Sequence, residues 1–172
     1  MSPKLVKPNT TYQKSYTEAL CEFLTESQSP EHIESEIRNV LDSINHKNDA
    51  AQGKNLVSGE VTRSEFWLID KEKYIGMIQI RHKPSGRIPE AASHIYYEIR
   101  PLERGKGYGV EILRQGLIEA KGLGLQEIII TCDKNNIPSQ KIIQTSGGQF
   151  IAEIPMPNKE IPLLKYKISL SE

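Results

Sequence analysis

Apolar residues recur at helical spacing in the first quarter of the chain. Tyr16, Ala19, Leu20, Phe23 and Leu24 fall on one face and predict an amphipathic helix. Ile33, Ile37, Val40, Leu41 and Ile44 predict a second one, opened by Ser29-Pro30-Glu31 as N-cap, first-turn proline and first-turn acid. From Asn45 to Arg63 the pattern lapses into polar residues with Gly53 and Gly59, which predicts a long loop; loops of that length in compact domains are often functional. Beyond it the strands begin. Phe66 to Ile69 and Tyr74 to Ile80 flank Asp70-Lys71-Glu72-Lys73 and predict a hairpin. Lys83 to Ala92, with prolines at Pro84 and Pro89 and a glycine at Gly86, is a connection. His94 to Ile99 is a third strand, stopped by Pro101.

Gly109, Ile112, Leu113, Gly116, Leu117 and Ala120 then share one helical face. Gly116 costs that helix about 1 kcal/mol relative to alanine, which points to close packing on a sheet. Gln126 to Cys132, centred on Ile128-Ile129-Ile130, reads as a buried strand. A helix from Pro138 to Gly147-Gly148 and strands Gln149 to Glu153 and Leu163 to Ile168 close the chain. The order α-α-β-β-β-α-β-α-β-β predicts one α/β domain over residues 1–172: a central mixed β-sheet (α+β in character) with helices on both faces. Within it, His94 to Cys132 is a βαβ unit of right-handed crossover, and the flanking hairpins are antiparallel.

Composition narrows the partners. Twenty-two Lys and Arg balance 22 Asp and Glu, so net charge is zero and no basic patch calls for nucleic acid. Cys21 and Cys132 are far apart and form no C-x-x-C pair, which predicts free thiols in a reducing cytoplasm. The N-terminus lacks the apolar run of a signal peptide, and no stretch approaches the ~20 apolar residues of a membrane span. A cytoplasmic protein without membrane or metal partner is expected.

The chemistry concentrates in Arg104-Gly105-Lys106-Gly107-Tyr108-Gly109, between a strand and a helix. The first amides of a helix lack intrahelical acceptors and point outward along its axis. The helix dipole favours an anion there, the glycines permit close approach and positive φ, and Arg104 and Lys106 add charge. A diphosphate is the natural guest. A P-loop is excluded, because Gly107 rather than Ser or Thr follows Lys106 and Arg100 stands where an earlier glycine belongs. A dinucleotide-binding oxidoreductase would use G-x-G-x-x-G close behind its strand and paired βαβ halves; this chain has G-x-G-x-G and one βαβ unit, with Asp133 as the only imitation of a ribose-binding acid.

Arg104-x-x-Gly107-x-Gly109 resembles the [QR]-x-x-G-x-[GA] signature of the GNAT acetyltransferase superfamily, and Ile99 to Arg104 resembles that family's strand exit. Asn136-Ile137-Pro138-Ser139 resembles its later N-x-x-[AS] helix, with Gly148 where a phenylalanine is usual. The resemblance spans about Phe66 to Phe150 and implies an N-acetyltransferase moving acetyl from acetyl-coenzyme A directly to a small-molecule or peptide amine. It further implies splayed parallel strands ending at Ile99 and Cys132 with the pantetheine arm between them. Carried over by position, backbone groups near Glu98 and Ile99 meet the thioester and pantetheine, amides from Arg104 through Gly105, Lys106, Gly107, Tyr108 and Gly109 take the pyrophosphate, and Asn136 and Ser139 line the opposite wall.

The acceptor amine needs a base. His94, Tyr96 and Glu98 alternate onto one strand face, so His94 and Glu98 are candidates, with His82 as a third; Arg81, His82 and Tyr96 are candidate substrate contacts. The loops Asn45 to Arg63 and Lys83 to Ala92 are the candidate acceptor walls. One departure is plain: the position of the family's usual thiolate-protonating tyrosine is Ile143, which leaves Ser139 or Tyr96 as donor, or unassisted departure. The same departure supports a catalytically silent coenzyme A-binding module as the competing reading. Cys132 is read as a small buried hydrophobe rather than an acyl carrier, and the C-terminal strand can pair across a homodimer.

Overall fold

The amphipathic N-terminal stretch folds as three helices, not two. The computed structural model describes residues 2–27, 30–56, 58–86, 89–157 and 159–170; Ser29, the expected N-cap, lies outside them. Helix α1 spans Gln13–Glu26, α2 Pro30–Arg38 and α3 Val40–Ala51. The expected second helix breaks at Asn39, whose φ of −124° and ψ of 38° leave the helical region. Helix α3 then runs on through the first part of the expected loop. Its Asn- and Asp-containing end has weak intrinsic propensity, so tertiary contacts hold it: Ile44 and Ala50 are buried, and Asn48 Nδ2 donates to Pro8 O at 3.0 Å.

A strand that the pattern did not announce, β1 (Lys4–Val6), pairs antiparallel with β2 (Arg63–Asp70). Three residues are too few to show a period. Strands β2 and β3 (Lys73–Ser85) form the expected hairpin, closed by the Asp70–Lys73 pair. Lys71 and Glu72 both take positive φ, 47° and 66°, the geometry that matches the twist of a two-residue hairpin. Strand β4 (Ser93–Ile99) pairs antiparallel with β3 and completes a four-stranded sheet in the order β1-β2-β3-β4.

After β4 come helix α4 (Tyr108–Gly122), strand β5 (Glu127–Asp133), helix α5 (Ile137–Thr145), and strands β6 (Gln149–Ile154) and β7 (Leu163–Ser169). The last three strands make a second antiparallel sheet, β5-β7-β6. The mixed arrangement is thus divided where β4 meets β5. Ser93 and His94 reach Ile129 across this division, and Tyr97 reaches Ser139 just beyond the end of β5, so β4 and β5 run the same way without a backbone ladder.

Helices cover both faces of the first sheet. On one, Tyr16 of α1 stacks on Trp67 of β2 with ring centroids 4.3 Å apart, and Tyr74 meets both edge-on. On the other, α4 lies so close to β3 that a Cβ at Gly116 would collide with Ile78, which accounts for the glycine inside that helix. Arg100, 5% exposed, ties the exit of β4 to α1 through Glu22 at 2.6 Å and to the Tyr74 carbonyl. Removing one partner from such a buried pair costs about 3–5 kcal/mol, so the strand end is held firmly where the candidate site begins. Among the described residues no helix is long and apolar enough to cross a membrane.

Candidate active site

Strand β4 has two functional flanks. Arg100 N–H donates to Ile75 O at 2.8 Å. By the two-residue alternation of an antiparallel ladder, Tyr96 and Glu98 turn their backbone groups to β3, while Tyr97 and Ile99 turn theirs toward β5. No ladder partner meets them there, because β5 belongs to the other sheet. Among the described residues, the N–H groups of Tyr97 and Ile99 on this edge thus lack a ladder partner, while Ile99 O accepts from Arg104 Nε at 3.1 Å.

Beyond Ile99 the chain makes a 3-10 turn at Pro101–Glu103 and then enters α4 with Gly107 as N-cap. Gly105 and Gly107 take φ of +76° and +87°, which side-chain-bearing residues adopt only under strain, and the space beside each is open. Among the described residues, no protein acceptor meets the amides of Gly105, Lys106, Gly107, Tyr108 or Gly109. This is the bare helix mouth that the glycine pattern implied, with corrections of detail. Arg104 N–H is already used by Pro101 O at 3.3 Å, so the free run starts at Gly105. The Arg104 guanidinium turns away to Glu26 at 2.7 Å and to Ile99 O at 3.1 Å. Lys106 pairs with Glu103 at 2.8 Å, and Lys73 holds the other oxygen of that carboxylate. The two cations are thus spoken for, although Lys106 is half-exposed and buried Glu103 keeps Lys73 when Lys106 leaves. Gly109 serves packing, since a Cβ there would strike Ile142 of α5. Tyr108 anchors the turn by donating to Asp70 Oδ2 at 2.7 Å, and that bond pushes its hydroxyl pKa up to about 12.

Across the gap, Asn136 caps α5: its Oδ1 accepts from Ser139 N at 3.1 Å. Ser139 Oγ lies 2.9 Å from the hydroxyl of Tyr97. Tyr97 faces the side of the sheet opposite Tyr96, and the search for a base did not single it out. Ile143, where the family's usual tyrosine would stand, is fully buried in the core. Cys132 is 7% exposed and packs there too, as expected of a small hydrophobe.

The other flank opens into a cleft of about 860 Å³ between α1, α2, α3 and strands β2 to β4. Glu98 and Tyr96 line it, with the Tyr96 hydroxyl donating to Glu98 Oε2 at 2.9 Å. Burial pushes the Glu98 carboxyl up; the Tyr96 bond pulls it down, Glu65 and Glu36 add to the rise, and Lys47 opposes them. Of the two expected walls, only Asn45 to Arg63 contributes, through His46, Lys47, Glu60 and Arg63; no described residue of Lys83 to Ala92 borders the cleft.

The remaining candidates separate from Glu98. His94 is 5% exposed, and its Nδ1 accepts from Ile129 N at 2.9 Å, so the ring carries its proton on Nε2. Burial holds it below the usual histidine pKa. Ser93 Oγ donates to Ile129 O at 3.3 Å, so two adjacent β4 side chains occupy both halves of one β5 residue's backbone and clasp the sheets together. His82 bonds Ser64 Oγ at 2.9 Å, and Arg81 donates to Ser93 O at 3.3 Å. Neither borders the cleft that holds Tyr96 and Glu98, and Arg81 makes no pair with Glu98.

Sequence reasoning missed Glu36, Lys47 and Glu65. Glu36 accepts from Tyr16 and Ser43 at 2.5 Å each and from Lys47 at 2.7 Å. Burial raises its pKa, but the Lys47 ammonium and these bonds outweigh that and hold it at about 2. Glu65, almost fully buried, accepts from Trp67 Nε1 at 3.0 Å and lies 3.9 Å from Lys47. One signal was available: Glu65 sits on the apolar-face register of β2 with Trp67 and Ile69, where a charge needs a reason.

A bare helix mouth thus lies on one side of β4 and a cleft with polar and apolar lining on the other. The chain belongs to the acetyltransferase (GNAT) domain family, whose match covers residues 10–149, and it is an acyltransferase of that family. No curated protein matches the chain in sequence. Among solved structures it is similar to the ribosomal L7/L12 α-N-protein acetyltransferase RimL in complex with coenzyme A, at 12% identity and TM-score 0.73 over 98% of this chain and 94% of that one. The microcin C7 self-immunity acetyltransferase MccE, in complex with acetyl-CoA and AMP, is 16% identical with TM-score 0.71 over 97% of this chain and 92% of that one. An acetyl transferase from Salmonella typhimurium that modifies the N-terminal serine of ribosomal protein L7/L12 is 11% identical, TM-score 0.69, over 98% and 95% of the two chains. The likeness in fold thus covers nearly the whole chain.

Proposed function

We propose that the protein is an N-acetyltransferase that takes acetyl from acetyl-coenzyme A and passes it directly to an amine. The observation that carries this reading is the run of amides without a protein acceptor from Gly105 to Gly109, with open space beside Gly105 and Gly107, directly beyond the end of β4. The residues present fit a diphosphate, since unpaired N–H groups at a helix start favour an anion without any side chain's help. Acetyl-coenzyme A supplies an activated thioester acyl group. Half-exposed Lys106, released from Glu103, adds a cation at the rim.

Glu98 is the base of this reading. Its carboxylate sits in the acceptor cleft with a pKa raised by burial, which suits it to take a proton from an arriving ammonium. A free N–H on the β4 edge, from Tyr97 or Ile99, polarises the acyl oxygen; such donors contribute about 3 kcal/mol. Tyr97 is the acid: its hydroxyl gives a proton to the departing sulfur, and Ser139 holds and resupplies it. That pair fills the role vacated at Ile143 and weighs against a silent binding module. His94, neutral and bonded to Ile129, positions β4 against β5 and takes no proton.

The test is release of free thiol from acetyl-coenzyme A in the presence of an amine panel, expected only when an amine is present. Binding without thiol release from any amine would leave the silent module standing. Binding of NAD in preference to acetyl-coenzyme A would sink the reading.

A further inference from the structure

The acceptor cleft is acidic although the chain is neutral overall. Its lining holds Glu26, Glu36, Asp42, Glu60, Glu65 and Glu98 against Lys47 and Arg63. Pairing removes some of that charge: Glu26 answers Arg104, Glu60 answers Arg63 at 2.9 Å, and Glu36 takes the near contact of Lys47. What is left on the floor is three carboxylates, Glu36, Glu65 and Glu98, against the one ammonium of Lys47, which lies 2.7 Å from Glu36 and 3.9 Å from Glu65.

A second observation marks the same place. Tyr74 is fully buried, yet its hydroxyl has no hydrogen-bond partner. It lies beneath the cleft, and the charges that act on it most are those of Glu98, Glu65 and Glu36. A buried hydroxyl left unpaired costs about 1–3 kcal/mol, so this floor is a polar surface short of a partner. A cationic group in the cleft above would give Glu65 and Glu98 a counter-ion. Apolar side chains also line it: Leu20, Phe23, Ile33 and Met77. Glu65 on β2 is level with Gln79 and Tyr96, and Glu98 on β4 lies two residues further along, opposite Met77, so the two backbones are roughly 12 Å apart with Gln79 and Met77 of β3 between them. Two anionic points separated by that span, in a cleft that also presents hydrocarbon, match two ammonium groups joined by methylenes.

Resting on the acetyltransferase reading above, we propose that the acceptor is an aliphatic diamine or polyamine, with its reacting nitrogen at Glu98 and its distal ammonium at Glu65. The near ammonium gives one proton to Glu98; its lone pair forms the C–N bond as the C–S bond breaks. The sulfur takes a proton from Tyr97, and the second proton shed by the nitrogen replaces it. The distal ammonium keeps its proton throughout and holds the register of the chain. No oxidant or further reactant is needed.

The test compares an aliphatic diamine with the amino alcohol of equal chain length, which differs only in the distal charge. Calorimetric titration into the coenzyme-free protein reads binding without turnover, and thiol release reads turnover. The diamine is expected to bind, and to react in kcat/KM, roughly tenfold or more better than the amino alcohol. Glu65→Gln should erase that ratio through the KM of the diamine. Far-ultraviolet circular dichroism of Glu65→Gln should stay native, which separates a lost subsite from a variant that merely misfolds, and the ratio in the parent protein tests the proposal without any variant. Equal binding of the two compounds overturns the proposal, as does preference for an anionic or neutral amine. Failure of thiol release from every amine overturns the acetyltransferase reading instead, while the calorimetric ratio still reports on the cleft.

Discussion

The two flanks of β4 are made of different material. The proposed donor side, Ile99 to Gly109, is almost wholly main chain: one strand edge, one tight turn and the first amides of a helix. The proposed acceptor side is gathered from residues of three helices, three strands and the loops between them. A main-chain site is set by local conformation, so a few glycines at fixed spacing announce it. A side-chain site exists only after distant segments converge. The first tolerates little change at a few positions and the second yields by degrees, a contrast that mutation can sharpen or break.

The sharpest break is Gly107→Glu. Gly107 holds φ at +87° at the N-cap of α4, and the variant adds backbone strain, bulk and a negative charge where a diphosphate should sit. Acetyl-coenzyme A binding by calorimetry is expected to vanish while far-ultraviolet circular dichroism stays native. Unchanged affinity would remove the donor site from this turn. Next is Glu98→Gln, which keeps shape and loses basicity. It should lower kcat by about 10²–10³-fold with acetyl-coenzyme A affinity unaltered. A drop under threefold would send the base elsewhere in the cleft.

Legibility follows the same division. The strand and helix order from Phe66 onward was readable because hydrophobic period and turn residues agree there, as at Asp70–Lys73 and Gly147-Gly148. Strand β1 was not, being three residues long, and the extension of α3 to Ala51 was not, since Glu36, Pro8 and the core stabilise it from outside its own sequence. At the site, the free amides were legible, but the fate of the charges beside them was not. Nothing local says that Arg104 will reach Glu26 in α1, seventy-eight residues away. His94 shares a strand face with Glu98 by alternation, yet the division between the sheets draws its ring to Ile129. Alternation fixes a side; it does not fix a partner.

Tyr97→Phe tests the gap where the flanks meet. If Tyr97 gives the sulfur its proton, kcat should fall about tenfold and no further, because a thiol with pKa near about 8.5 is a fair leaving group unaided. Coenzyme affinity should hold. Ser139→Ala should show a smaller loss in the same direction, since its hydroxyl acts through the tyrosine across 2.9 Å. An unchanged kcat in both, measured by steady-state thiol release, would show that the thiolate departs without help from this pair.

The mildest change is Tyr96→Phe, and it separates tuning from catalysis. Glu98 must be ionised to act as a base, so kcat/KM rises with pH through its pKa. Burial lifts that pKa above the ordinary carboxylate range, with Glu65 and Glu36 adding and Lys47 opposing, while the Tyr96 hydroxyl favours the charged form. Removing the hydroxyl therefore raises the pKa further, and the rising limb of the pH profile moves to higher pH. Well above that limb the variant and parent rates converge. Tyr96 is 48% exposed, so the substitution leaves packing intact. A limb that stays in place would mean the profile reports a group other than Glu98; an equal loss at every pH would make Tyr96 a substrate contact, and the acceptor flank would then be set by contacts rather than by charge.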